Sequence, residues 1–210
     1  MSGVQAHYKL DGNLNDASVN GYNLTNVNAT NVVNGVIGQC YDFETSSGHG
    51  AYIDTCPNLN IGGVMTIIAF INPESSTEGS IVCKDNVSAG YTFDMVSNNT
   101  LRGIFRSSAG VRGITSTFTV TNGKVTMVGF ILDTATKYIS KMCKDGSGAF
   151  ESAADANVPL TGSASFSLGY RKSDNSVHFD GQIDEVIVLN RAISLRDLRL
   201  YSYQFAGRLV

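Results

Sequence analysis

Short stretches of alternating apolar and polar residues recur along the chain, and Gly, Asn, Asp or Ser separates each from the next. A period of two marks half-buried β-strands. It predicts strands at Val4–Leu10, Gln39–Glu44, Ala51–Ile53, Met65–Ile71, Gly79–Lys84 and Gly90–Val96. Further strands are expected at Thr100–Arg106, Gly113–Val120, Val125–Leu132, Tyr138–Lys144, Ser165–Gly169 and Gln182–Leu189. Asn122-Gly123, Asp145-Gly146 and Asp180-Gly181 supply turn residues that tolerate positive φ. The alternation also assigns faces. In Gly90–Val96, Tyr91, Phe93 and Met95 share one side, with Thr92 and Asp94 on the other. In Thr100–Arg106, Leu101, Gly103 and Phe105 point inward while Arg102 and Arg106 point out. Met65–Ile71 and Val125–Leu132 are apolar on both sides, as in interior strands or strands covered on their outer side.

The chain from Phe179 to Ser194 reads as a Gly-led strand, a turn and a helix start. Ser194 and Asp197 form an approximate capping box, and Leu195, Leu198 and Tyr201 give an apolar stripe. A helix of two or three turns beside the sheet edge is expected. Asn13–Asn34 holds eight Asn and is expected to be a long ordered loop. With no repeat and no linker, residues 1–210 are expected to form a single domain. The fold class is all-β: an antiparallel β-sandwich with one short C-terminal helix.

A chain of 210 residues buries a core without disulfides. The net charge of -3 and the lack of a basic run argue against nucleic acid as a partner. The longest apolar stretch, Val64 to Ile71, is too short to span a bilayer, so no membrane insertion is expected. The opening Met-Ser-Gly-Val-Gln lacks a charged start followed by an apolar run, so no secretory signal is expected. Cys40, Cys56, Cys83 and Cys143 include no CxxC, which argues against zinc. They are read as free thiols packed as small hydrophobes, in a product of a reducing cytoplasm.

Candidate chemistry is sparse. His7, His49 and His178 are the only histidines, and no nucleophile elbow, P-loop or dinucleotide fingerprint is present. Asp11, Asn13, Asn15 and Asp16 crowd one segment, and oxygen ligands at alternate positions suit Ca²⁺. An EF-hand is excluded, because Gly is missing at its sixth position and Tyr22 replaces Glu at its twelfth. Sugar binding calls for aromatic platforms, and there is no Trp. Tyr52, Tyr138 and Tyr170 are the candidates, with Arg171 and His178 near the last; packing is the competing and favoured role for any single Tyr. Arg102, Arg106 and Arg112 on neighbouring segments suit an acidic glycan, a partner subunit or a solvated face, and partner contact is preferred.

Five motifs in order resemble the concanavalin A-like lectin/glucanase superfamily, in its laminin-G-like jelly-roll branch. Tyr8-Lys9-Leu10-Asp11-Gly12-Asn13-Leu14-Asn15-Asp16-Ala17-Ser18 is similar to that family's opening strand and D-G-x-x-x-D-x-S loop. Gly35-Val36-Ile37-Gly38-Gln39-Cys40-Tyr41-Asp42-Phe43 resembles its G-x-x-G-x-A-x-x-F strand, with Cys40 for a small Ala. Met65-Thr66-Ile67-Ile68-Ala69-Phe70-Ile71 resembles F-T-I-x-x-W, with Phe70 where Trp is usual. Gly181-Gln182-Ile183-Asp184-Glu185-Val186 resembles G-x-I-D-E-V, followed by the usual N-R-A-L-S turn and helix. The resemblance covers Tyr8 to Tyr201. It implies a jelly roll and a structural Ca²⁺ held by Asp11, Asp16 and Asp184. The other role for these carboxylates, weighted slightly higher, is to accept backbone N–H bonds and pin loop to strand.

Retaining glucanases of this fold place carboxylates at alternate strand positions, on one face. Asp184 and Glu185 are adjacent, so plain alternation puts them on opposite faces, and no Glu-x-Asp-x-x-Glu run exists. The expectation is therefore a non-catalytic binding or assembly module. The reading is a virion (phage) surface, capsid-decoration or tail protein with glycan recognition. Capsid or tail proteins, a glycan or further copies of the chain would be its partners, and Arg102, Arg106, Arg112, Tyr170, Arg171 and His178 its ligand-binding residues. The alternatives are a secreted, extracellular carbohydrate-binding module and, last, a glycoside hydrolase.

Overall fold

The computed structural model describes residues 2–206 apart from 33, 135–137, 145–151, 156 and 158; its side chains are described outside 134–156, 195, 199, 202 and 204–206. In chain order the strands are β1 (Val4–Tyr8), β2 (Thr25–Val27), β3 (Thr30–Val32), β4 (Cys40–Phe43), β5 (Gly50–Ile53), β6 (Met65–Pro73) and β7 (Gly79–Asp85). They continue with β8 (Gly90–Val96), β9 (Thr100–Ser107), β10 (Gly110–Thr119), β11 (Thr126–Thr134), β12 (Tyr138–Lys144), β13 (Ser152–Asp155), β14 (Phe166–Leu168) and β15 (Gly181–Leu189). A single helix, α1 (Leu195–Ala206), follows among the described residues.

Two antiparallel sheets result. The first runs β13-β12-β11-β6-β15-β4-β3, with β1 also paired to β15. The second runs β10-β9-β8-β7-β14-β5-β2. Their facing sides enclose a core rich in aromatic rings, including Tyr8, Phe43, Phe93, Phe130 and Phe166. Gly103 makes room for one of these rings, since a Cβ there would stand 2.2 Å from Phe130.

The doubly apolar strands have a specific cause. β6 lies between β11 and β15, and its Ile67, Ala69 and Ile71 face the core between the sheets. Its Ile68 and Phe70 face the other way, under Leu198, Tyr201, Ile193 and Val36. The helix therefore packs on the outer face of the first sheet and not beside its edge, as the sequence suggested. Its capping box forms as expected: the Asp197 N–H donates to Ser194 Oγ (3.1 Å), and the Ser194 hydroxyl donates to Asp197 Oδ2 (2.9 Å).

The Asn-rich segment is not all loop. β2 pairs with β5 and β3 with β4, so the chain passes from the second sheet to the first between them. Asn28 takes φ 59° at that crossing. Asn26 braces it by donating to the Ala29 carbonyl (3.0 Å) and accepting the Ala29 N–H (2.9 Å). β13 was also unexpected from the pattern. Tyr138 as a sugar platform and the thiol of Cys143 lie outside the described residues. Cys40, Cys56 and Cys83 are free and buried, and burial pushes the Cys40 and Cys83 thiols up to about 12. No helix among the described residues is long and apolar enough to cross a membrane.

Candidate functional site

The outer face of the second sheet carries a polar network built by strand register. Tyr52, Ser167, Cys83, Thr92 and Ile104 stand in one transverse row across five strands. Asp94 is opposite Arg102 in the next row, beside Ser80. Asp85 is opposite Gly90 on the other side, with Arg106 on the following strand. Directly opposed and diagonal side chains on one face are within reach of each other.

Asp94, with no exposed surface, accepts the Ser80 hydroxyl (2.8 Å), the Thr92 hydroxyl (2.8 Å) and Arg102 Nη2 (2.9 Å). Arg102 also reaches Glu78. Burial pushes the Asp94 carboxyl up, and Arg102 with the two hydroxyls pulls it back. Burial disfavours the Arg102 charge too, but Asp94 and Glu78 outweigh it and hold the guanidinium above its ordinary range. Arg106 spans the side-chain-free Gly90 to grip Asp85 with two hydrogen bonds, one of 2.9 Å from Nε. Those bonds raise its proton affinity. The guanidiniums are thus positioned by charge-assisted bonds to carboxylates at the sheet surface.

Arg112 does not join them. It stands opposite Phe105, which points into the core, so its side chain leaves the edge strand on the other face. Plain alternation on β9 is right, but the sequence does not reveal the register of β10. Arg171 does belong to the surface: its segment crosses this sheet as a tight turn closed by paired hydrogen bonds between Arg171 and Ser176. The Ser80 N–H ties that turn down through the Val177 carbonyl (2.8 Å). The Nε of Arg102 and the Nε of Arg171 are buried without a protein acceptor. Lys172 Nζ lies 4.0 Å from the Tyr52 ring centroid, on β5, four strands along the sheet from Arg102 on β9. Tyr170 is only 2 % exposed and is not an open platform. It stacks on His178 at 5.4 Å, and the ring nitrogens of His178 stand 3.2 Å from the carbonyls of His49 and Asn175. Sequence reasoning missed Asp85 and Asp94. Carboxylates inside strands otherwise fit for burial, one or two strands from an Arg, were the available signal.

The carboxylates at the two ends of the chain do different work. Asp16 accepts the His7, Ser18 and Tyr22 N–H groups (2.9, 2.8 and 2.9 Å) and the Ser18 hydroxyl (2.7 Å). Asp184 accepts Val36, Ile37 and Glu185 N–H groups (2.7, 3.4 and 2.8 Å). Asp11 accepts the Gln39 N–H (3.1 Å). Among the described residues no three His, Cys, Asp or Glu side chains gather as a metal site. Asp11, Asp16 and Asp184 each accept backbone N–H groups, and those bonds pin loops to strands.

The opposite-face argument for Asp184 and Glu185 also needs correction. In β15, Asp184 is opposite Phe70 and Ile187 is opposite Ile68, so Glu185 and Val186 together face Ala69. This β-bulge adds one residue. Val186 keeps its place in the core, and Glu185, at φ 48°, turns to the outer face that Asp184 already occupies. There Glu185 Oε2 stands 2.7 Å from His7 Nε2.

A family model of the concanavalin A-like lectin/glucanases superfamily matches residues 45–199. The chain belongs to that superfamily. Solved structures with the superfamily fold resemble it over nearly its full length. Domain 4 of AbnA, a GH43 extracellular arabinanase from Geobacillus stearothermophilus solved with arabinotriose, has a TM-score of 0.73 at 19% identity, over 95% of this chain and 98% of that one. The binding domain of Paraclostridial Mosquitocidal Protein 1 has 0.74 at 12%, over 91% and 49%. The binding domain of Botulinum Neurotoxin DC, in complex with SialylT, has 0.72 at 9%, over 97% and 52%. This superfamily member thus spans about half the length of the toxin chains. No curated protein matches it.

Proposed function

We propose that this chain is a non-catalytic glycan-binding module that takes its ligand on the outer face of the second sheet. One observation carries the reading: the Arg102 and Arg106 guanidiniums are held in place by the buried carboxylates Asp94 and Asp85, on the sheet face that also carries Arg171 and the Tyr52 ring. Sugars need such planar donors and an aromatic surface, placed before the ligand arrives. The arabinotriose and SialylT bound by two structural neighbours support the ligand class. The engagement of Asp184 by three backbone N–H groups supports a binding role over hydrolysis, since a general acid must be able to reach its substrate.

A glycan array that includes arabino-oligosaccharides and sialylated glycans, followed by calorimetry, tests the reading. Tyr52→Ala and Arg171→Ala should each weaken the best ligand at least tenfold, which is about 1.4 kcal/mol. Neither removes the partner of a buried carboxylate, so the fold should survive. Unchanged affinity in both variants would overturn the assignment to this face.

For the setting, we favour display on a virion surface by a chain made in a reducing cytoplasm, and the free, buried Cys40, Cys56 and Cys83 support that origin. Denaturing thiol titration of protein from its natural source should find every cysteine reduced. Disulfides would favour the secreted module instead.

A further inference from the structure

On the other side of the molecule, over the outer face of the first sheet, β1, the β15 bulge and α1 border a half-open cavity of about 380 Å³. His7, Glu185, Ile37, Ile187 and Tyr201 line it, with Lys9 and Asp11 exposed at its mouth. Nothing in the glycan reading uses this place.

Its central feature is Glu185. The residue is 4 % exposed and sits at a positive φ that a side-chain-bearing residue rarely adopts in a strand. Such a conformation persists only where the surroundings impose it, and it gathers at binding sites. Without the bulge this side chain would point into the apolar core. With it, the carboxylate faces the cavity. Oε2 pairs with His7 Nε2, and Oε1 accepts no hydrogen bond from the described residues. A nearly buried carboxylate with one open oxygen is a built acceptor for a ligand donor.

The rest of the lining narrows the ligand. Glu185 and Asp11 disfavour an anion. Lys9 at the mouth and His7 already on Glu185 disfavour a cation. Ile37, Ile187 and the Tyr201 side chain give apolar walls suited to C–H faces. The volume lies at the small end of the range, about 300–1,000 Å³, that ligand pockets occupy. We infer that this cavity binds one neutral, hydroxylated ring, a single uncharged sugar residue, through a hydroxyl donated to Glu185. The inference rests on the glycan reading for the class of ligand, and adds a second site on the opposite sheet.

Amide NMR titration of the full chain with methyl glycosides of glucose, galactose, mannose and arabinose tests it. At least one should shift the amides of His7, Ile37, Glu185 and Ile187 in a saturable way, with millimolar affinity. Glu185→Gln and the cavity-filling Ile37→Phe should each weaken that binding at least tenfold. Ile37 sits on a loop, so its variant keeps the test alive if Glu185→Gln fails to fold. No shifts with any glycoside would overturn the inference, as would shifts confined to Tyr52 and Arg171, which leave the glycan-binding face standing. Cavity shifts with methylammonium but not with the glycosides would also overturn it, because the site would then select a cation. Loss of array binding in Tyr52→Ala alone bears only on the face of the second sheet.

Discussion

Asp94→Ala is expected to destabilise the protein by about 3–5 kcal/mol, the cost of stripping a buried ion pair of one partner. Asp94 has no exposed surface and serves three donors, from Ser80, Thr92 and Arg102. Alanine leaves all three without their acceptor, and Arg102 cannot shed its charge in response. Glu78, itself half-exposed, remains as a partner for Arg102 on the same Nη2 that Asp94 engages, but the Ser80 and Thr92 hydroxyls donate only to Asp94. The same change should release Arg102 from its fixed position and so weaken glycan binding on that face. Urea denaturation reads the first effect as a lower midpoint with an unchanged slope. The double variant Asp94→Leu/Arg102→Met should recover much of the lost stability, because an apolar pair owes no desolvation, yet it should not recover binding. A single-variant loss under about 1 kcal/mol, the range of exposed pairs, would mean that solvent reaches Asp94 and that the network does not hold the guanidinium in place.

Much of the architecture was legible in the chain because alternation is a local property. Leu101, Gly103 and Phe105 against Arg102 and Arg106 sorted correctly, and the capping box at Ser194 and Asp197 formed as written. What escaped depends on pairing between distant segments. β2 and β3 are three residues each and rich in Asn and Thr, so their strand character comes from the neighbours they pair with. Arg112 was grouped with Arg102 and Arg106 because closeness in sequence says nothing of inter-strand register. The Glu185 bulge defeats a period-2 argument directly, since one inserted residue changes the face of a side chain while every neighbour keeps its own. The site is harder to read than the fold for the same reason: Asp85–Arg106 and Asp94–Arg102 are partners only once the strands are in register.

Stability should also rise as the pH falls from about 7 toward 4, opposite in sign to the usual loss of ion-paired carboxylates in acid. Burial pushes the Asp184 carboxyl up to about 7; the Glu185 charge adds to this, while the N–H groups of Val36, Ile37 and Glu185 hold it back. Burial also raises Asp94, Asp42 and Glu74. A carboxyl with a folded pKa above its unfolded value binds its proton more tightly in the native state. Its favourable contribution is therefore complete below the unfolded value of 3.8, shrinks as the pH rises, and is gone above the folded value of about 7. Each tenfold difference in proton affinity is worth about 1.4 kcal/mol, so Asp184 alone supplies at most roughly 4 kcal/mol of pH dependence. Chemical denaturation at pH 5 and pH 8 should show the greater stability at pH 5. Asp184→Asn should lower stability at both, because its amide turns a donor toward one of the three N–H groups, but it should flatten the difference between them. Protein that is more stable at pH 8, or an Asn variant that keeps the full difference, would mean that the three N–H donors outweigh burial and keep Asp184 ionised across this range.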